Sequence, residues 1–269
     1  MKQLIIFISL ISISLCLKAQ VKPNVINSVG GSAQYSGGYL AYSVGEAVVG
    51  TAVGTNSTIT QGFLQTWQSL ARNISLNLYL EGLFDLSTHK MNEAMDGNTG
   101  VPQWGYNIAD RIQVDLFEEN PPYNPLGVSI SGIDLSTDGL ASFQISSSHN
   151  GNYYIRVHNR NHLETWSSIA VPFNTSSVNY NFTTSMLQAF GTDAQVMVEP
   201  GKYAFYAGDL DQNGWVDADD FNLFEPALTI GAIGFLPSDF NGSGWVDADD
   251  FNIFEPRLTS GVASQTLPF

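Results

Sequence analysis

Cysteine is almost absent from this chain: Cys16 is the one cysteine in 269 residues. Basic residues are scarce as well, with 10 Lys and Arg against 25 Asp and Glu, for a formal net charge of −15. That balance excludes nucleic acid and an anionic membrane surface as partners, because both are bound through clusters of Lys and Arg. Long apolar runs are missing except at the start, where Leu4 to Leu17 is apolar but interrupted by serines. The run is shorter than the roughly 20 residues that a spanning helix needs, so no membrane span is expected. Lys2 supplies a short positive start, and Ala19 is a small residue placed before polar Gln20. Residues 1–19 therefore read as a secretory signal peptide, and the protein as secreted, extracellular or at the cell surface. Removal of that segment takes Cys16 with it, which excludes a disulfide scaffold, a thiolate zinc site and a cysteine nucleophile.

The acid is not spread evenly. Residues 208–258 hold eleven Asp and Glu against a single base, Arg257. Interleaved Trp215, Phe221, Phe224, Trp245, Phe251 and Phe254 are too many aromatics for a disordered acidic tail. Folded acid at this density needs cations. Upstream, residues 20–67 are rich in Gly, Ser and Thr, with short alternating runs such as Tyr39 to Val44, and read as short strands and hairpins. Residues 73–206 alternate apolar and polar in Ile74 to Leu80, Ile112 to Phe117, Ala141 to Ile145, Tyr153 to His158, Val178 to Phe182 and Tyr203 to Tyr206. Turn-rich clusters separate these runs, so the expected fold is mainly β: an antiparallel β-sandwich, Ig-like or prealbumin-like. Helical periodicity is confined to Met186–Phe190 within this stretch.

Residues 211–226 recur, almost unchanged, as residues 241–256, which marks one supersecondary unit used twice. With Asp209 as position 1, Asp211, Asn213, Gly214, Trp215, Asp217 and Asp220 fall at positions 3, 5, 6, 7, 9 and 12. An EF-hand loop takes side-chain oxygens from 1, 3 and 5, a backbone carbonyl from 7, a ligand at 9 often through water, and a carboxylate at 12. Glycine at 6 lets the chain turn sharply between ligands. The second loop repeats these roles with Asp239, Asn241, Ser243, Gly244, Trp245, Asp247 and Asp250. Two Ca²⁺ ions are expected. The first loop carries more carboxylates and is expected to be the tighter site. Val216 at position 8 is placed where paired loops set their backbones side by side.

The loops differ from the EF-hand pattern in having Asp rather than Glu at position 12, and here 208–258 resembles the dockerin type I repeat. The resemblance implies Ca²⁺ ligands at Asp209, Asp211, Asn213, Asp217 and Asp220 and at Asp239, Asn241, Ser243, Asp247 and Asp250. It also implies a short helix after each loop, with Phe221, Phe224, Phe251 and Phe254 on its packed face, and a cohesin-like protein partner in a polysaccharide-degrading assembly. Pro226 and Pro256 are expected to end those helices early. Residues Gly31 to Gln65, ending Thr60 to Phe63, resemble the N-terminal segment of many secreted proteins of Bacteroidetes-type bacteria, and Leu76 to Gly82, Tyr153 to Asn161 and Tyr203 to Asp209 resemble a β-domain that precedes Asp-rich repeats in those proteins. Residues 259–269 remain as a tail.

No enzyme is expected. His158 and His162 with Glu164 form the best catalytic cluster, but His158 ends an alternating strand and the segment reads as a strand leading into a polar loop. No Gly-x-Ser-x-Gly elbow, phosphate loop or His-Glu-x-x-His motif occurs. The expected function is a calcium-binding, non-catalytic attachment module. A carbohydrate-binding or carbohydrate-active domain in 73–206 is the alternative, in which Trp104, Tyr106 or Trp166 would stack on a surface glycan.

Overall fold

The computed structural model describes the strands within residues 29–60 and, continuously, residues 71–268. Residues 1–19, read above as a signal peptide, lie outside the described residues. The chain divides into two compact units, Met1–Gln68 and Ser69–Phe269. In the first, Val29–Tyr35 pairs antiparallel with Gly38–Val44, and Thr51–Val53 with Thr58–Thr60. Both hairpins fall in the Gly- and Ser-rich stretch.

Beside three short hairpins, the main sheet of the second unit has eight strands: β1 (Ala71–Asn77), β2 (Ile108–Glu118), β3 (Pro125–Ser136), β4 (Leu140–Ser146), β5 (Asn152–Asn159), β6 (His162–Trp166), β7 (Val171–Pro172) and β8 (Ser177–Asn181). They run in the order β6-β5-β2-β3-β4-β1-β8, with β7 on β5. Between β3 and β4 a single residue pair, Leu135 with Ala141, holds the ladder. Strands on the two sides of that pair share one core. Ile74 and Leu76 of β1, Val114 and Leu116 of β2, Ile155 and Val157 of β5, and Val178 of β8 all lie buried in it. The fold is mainly β, and it is a sandwich. Every pairing is antiparallel except β8 with β1, which is parallel. The alternation seen in the sequence sets this up: β1 buries Arg72, Ile74 and Leu76 and turns the residues between them outward or to the edge. Met186–Gln188 forms one turn of 3-10 helix, in the only part of 73–206 where the sequence showed helical periodicity.

After the sandwich come α1 (Ala218–Ile230) and α2 (Ala248–Ser260), each following one Asp-rich loop. Phe224, Phe240 and Phe254 are fully buried between them, with Phe221 and Phe251 packed alongside. The ring centroids of Phe224 and Phe254 are 5.2 Å apart, and each lies 5.6 Å from Phe240. Both helices continue past their prolines, contrary to the expectation of an early end: Pro226 and Pro256 lie inside them. Each proline removes only the bond to the carbonyl four residues back. That carbonyl belongs to Asn222 or Asn252 on the exposed face, where water can serve it. Packing of the phenylalanines and the caps hold the helix across the gap.

Residues 259–269 are not loose over their described part. Val262 accepts a bond from the Val216 amide at 2.9 Å, Ser264 Oγ donates to the Glu164 carbonyl at 3.1 Å, and Leu267 is buried with Phe117 and Trp166.

Candidate metal centre

In the first loop, Asp217 caps α1, its carboxylate accepting from the Asp219 amide at 2.8 Å. Asp220, on the first helical turn, reaches back over the loop. Its Oδ2 accepts from Asp217 N at 2.9 Å, and its Oδ1 from Leu210 N at 2.7 Å and Asp211 N at 3.1 Å. This reciprocal cap ties the two ends of the loop together. Gly214 has φ +87°, so the chain turns and its amide reaches Asp209 Oδ2 at 3.2 Å. Asp211 Oδ1 accepts from Asn213 N at 3.0 Å, and Asn213 Oδ1 from Trp215 N at 2.8 Å. As a result one oxygen each of Asp209, Asp211 and Asp220 lie within 4.8 Å of one another.

Asp209 is 2 % exposed and Asp220 fully buried. Burial pushes the Asp209 carboxyl up to about 7, with the like charge of Asp220 adding to it, and burial raises Asp220 as well. Among the described residues no Lys or Arg forms an ion pair with these three acids. Asp209 Oδ1 is buried and has no hydrogen-bond partner. A buried carboxylate oxygen with neither partner nor counter-charge is costly. Oxygen donors converging in this way suit a hard divalent cation. The residues present fit a Ca²⁺ ion.

The second loop repeats the construction. Asp250 Oδ1 accepts from Phe240 N at 2.7 Å and Asn241 N at 3.1 Å, and its Oδ2 from Asp247 N at 3.0 Å. Asp239 accepts from Ser243 N at 3.0 Å and from Gly244 N at 2.8 Å, with Gly244 at φ +84°. Asp239 and Asp250 are both fully buried, and burial pushes Asp239 up to about 6. Asn241 and Ser243 replace the acid and amide of the first loop, and Ser243 Oγ donates to the Trp245 carbonyl at 3.1 Å. Of the twelve positions named from the sequence, Asp209, Asp211 and Asp220 are the acids whose oxygens converge as a group among the described residues. The side chains of Trp215 and Trp245 point outward, 59 % and 50 % exposed.

Position 8 departs from the expected pairing. Val216 N donates to Val262 O and Val246 N to Ala232 O, at 2.9 and 2.8 Å. Each loop therefore pairs with the residues that follow the other loop's helix. Both valines are buried in the shared core, so the two repeats close on each other through their ends.

The histidine cluster forms no shared site. His158 and His162 flank a tight turn in the β5–β6 hairpin. His162 is buried, held at Nδ1 by Asn159 and Asn161, and burial lowers it to about 3, so it stays neutral. His158 Nε2 lies 3.2 Å from Asp115 and 3.5 Å from Glu164, but Arg156 pairs with both carboxylates. Of the aromatics considered for sugar stacking, Trp166 is buried. Trp104 donates to Asp110 at 3.0 Å with the Arg111 guanidinium 4.2 Å above its ring, and Tyr106 is exposed.

No family model matches the chain, and no curated protein matches it. Among solved structures, a C-terminal interface mutant of a type II cohesin–X-dockerin complex from Acetivibrio cellulolyticus contains a chain that aligns with 72 % of this one and 97 % of its own length, at 15 % identity and a TM-score of 0.42. An N-terminal interface mutant of the same complex aligns over the same shares at 13 % identity and a TM-score of 0.40.

Sequence reasoning missed the residues that join the loops to the sandwich. Glu81 pairs with Arg257 of α2 at 2.5 Å and accepts from Ala207 N at 3.1 Å. Arg160 and Asn161, at the β5–β6 turn, grip the start of the second loop. The one available signal was that Arg257 is the single base among eleven acids.

Proposed function

We propose that this protein is a secreted, calcium-binding, non-catalytic module whose dockerin-like tail attaches it to a protein partner. The unpartnered, buried Oδ1 of Asp209 carries the calcium half of the reading. Asp209, Asp211, Asn213, the Trp215 carbonyl, Asp217 and Asp220 would hold one ion. Asp239, Asn241, Ser243, the Trp245 carbonyl, Asp247 and Asp250 would hold the other. Calcium supplies the positive charge that these acids lack and ties each loop to its helix. The chain's own part is to hold the acids in place: the caps at Asp217 and Asp247 fix the loop ends, and the stacked phenylalanines fix the helices.

The attachment half is supported by the resemblance of the loops to dockerin repeats and by apolar side chains that the tail leaves exposed. Leu223 and Ile230 of α1 are 51 % and 78 % exposed, and Trp215 and Trp245 of the loops are exposed as well. A non-catalytic role is favoured because the best acid–base cluster, around His158, is occupied by Arg156. Mass measurement of the intact native protein should show two bound Ca²⁺ that a chelator removes. A chain that carries no calcium at millimolar supply would end this reading. A purified cohesin is the probe for the partner, and its capture should depend on calcium.

A further inference from the structure

The second calcium loop is gripped from outside by the sandwich. Arg160 lies in the turn between β5 and β6, with its side chain 16 % exposed. Its Nη2 donates to the Asp239 carbonyl at 2.8 Å, its Nη1 donates to the Leu236 carbonyl, and its Nε donates to Asp110 Oδ2 at 3.0 Å. Neighbouring Asn161 donates from Nδ2 to the Pro237 carbonyl at 2.7 Å. From the other side Met95 N donates to the Gly242 carbonyl at 2.8 Å. Gly97 lies so close to Gly244 that a Cβ there would collide with the Gly244 carbonyl. The first loop is held differently: the Asn161 carbonyl accepts from Gly208 N and the Gly214 carbonyl from Ser264 N, both at 2.8 Å, but among the described residues no sandwich side chain bonds the loop's backbone, and a cleft of about 350 Å³ lies beside it, lined by Asp209, Asn213 and Trp215.

We infer that Arg160 is a positioning residue for the second calcium site, orienting Asp239 through its backbone so that ion binding in that loop and docking of the loop on the sandwich are one coupled event. The inference rests on the calcium reading above. The second loop has fewer carboxylates than the first, so it gains most from being held in shape before the ion arrives. The guanidinium's own charge opposes a nearby cation. Its pairing with buried Asp110 offsets that charge and leaves the directional bonds to the carbonyls as the net contribution. Groups that orient a ligand from behind typically change metal affinity by about 10- to 100-fold. Coupling must also be reciprocal, so calcium in the second loop must tighten the clasp.

The decisive variant is Arg160→Lys, which keeps a charge near Asp110 but has a single nitrogen in place of the three that the guanidinium uses to span Asp110, Leu236 and Asp239. In a calcium titration of the full chain, followed by calorimetry, the site lost in Asp239→Ala should weaken about tenfold or more in Arg160→Lys. The site lost in Asp209→Ala should keep its affinity. An unchanged second site, or equal weakening of both, overturns the clasp while leaving the calcium reading intact. Absence of binding at both loops of the unsubstituted chain instead overturns the calcium reading and the clasp with it. A second measurement avoids any Arg160 variant. In amide hydrogen exchange, chelation should deprotect Met95 and the β5–β6 turn in the unsubstituted chain. Asp239→Ala should show the same loss with calcium present, and Asp209→Ala should not. Protection that is indifferent to Asp239→Ala counts against the coupling.

Discussion

Substitution Asp209→Asn should change stability with opposite sign depending on calcium. Without the ion, the structure holds this carboxylate 2 % exposed, facing Asp220, with one oxygen unpartnered. Its pKa rises from 3.8 to about 7. A group that titrates near 4 when unfolded and near 7 when folded costs stability as pH rises through that window, because the unfolded chain gives up its proton first. At 1.36 kcal/mol per unit the ceiling is roughly 4 kcal/mol. Water reaching the open side of the loop screens the charge, and we take about 1–2 kcal/mol as the realistic share. Asn keeps an acceptor for the Gly214 amide and has no charge to bury. Without calcium at pH 7.5 the variant should therefore be more stable by about that amount, or roughly 2–8 °C in melting temperature for a unit of this size. With calcium the sign turns over. A ligand at a hundred times its dissociation constant contributes about 2.7 kcal/mol, and the variant forfeits most of it at this loop. Thermal melts in chelator and in 10 mM calcium read both limbs. Destabilisation in both conditions would mean that Asp209 is not a buried charge, and a variant indistinguishable from the parent in calcium that it is not a calcium ligand.

The pH dependence of calcium binding follows from the same acids, since they must be deprotonated to take the ion. Affinity at the first loop should fall below about pH 7 and at the second below about pH 6, read by calorimetry across that range. Arg257→Met should destabilise Ser69–Phe269 by about 3–5 kcal/mol at neutral pH, because it leaves the Glu81 carboxylate buried without its partner. Burial already raises Glu81, so the deficit grows with rising pH and shrinks once the carboxyl is protonated; chemical denaturation at pH 5 and pH 8 measures it. Pro226→Ala should raise stability by roughly 1–3 kcal/mol, since alanine at that exposed helical position restores the missing N–H. A loss of stability there would mean that the proline shapes the packing of α1.

The sandwich was legible because its strands are half-buried. Ile74, Leu76 and Leu78 alternate with polar neighbours, and that period of two survives into the structure as an inner and an outer face. The loops were legible for a different reason. The same residue types recur at the same spacing in both, and Gly214 and Gly244 stand where the chain turns at positive φ. The prolines misled because chain-local rules take no account of the phenylalanine core that carries a helix past a missing bond. The pairing of Val216 with Val262 and of Val246 with Ala232 was not visible because it joins segments with no periodic signal between them. The clasp was hidden for the same reason. Arg160 and Asn161 read as a polar turn, and nothing local says that a turn 76 residues before Leu236 will hold its carbonyl.

Two calcium ions are expected to hold this tail together, which calorimetric titration of the full chain with calcium reads, alongside Asp209→Ala and Asp239→Ala. Two binding events, one lost with each substitution, are the predicted result. Absence of binding heat, together with a melting temperature that calcium does not move, would contradict the claim and leave the repeat as an Asp-rich array of capped turns.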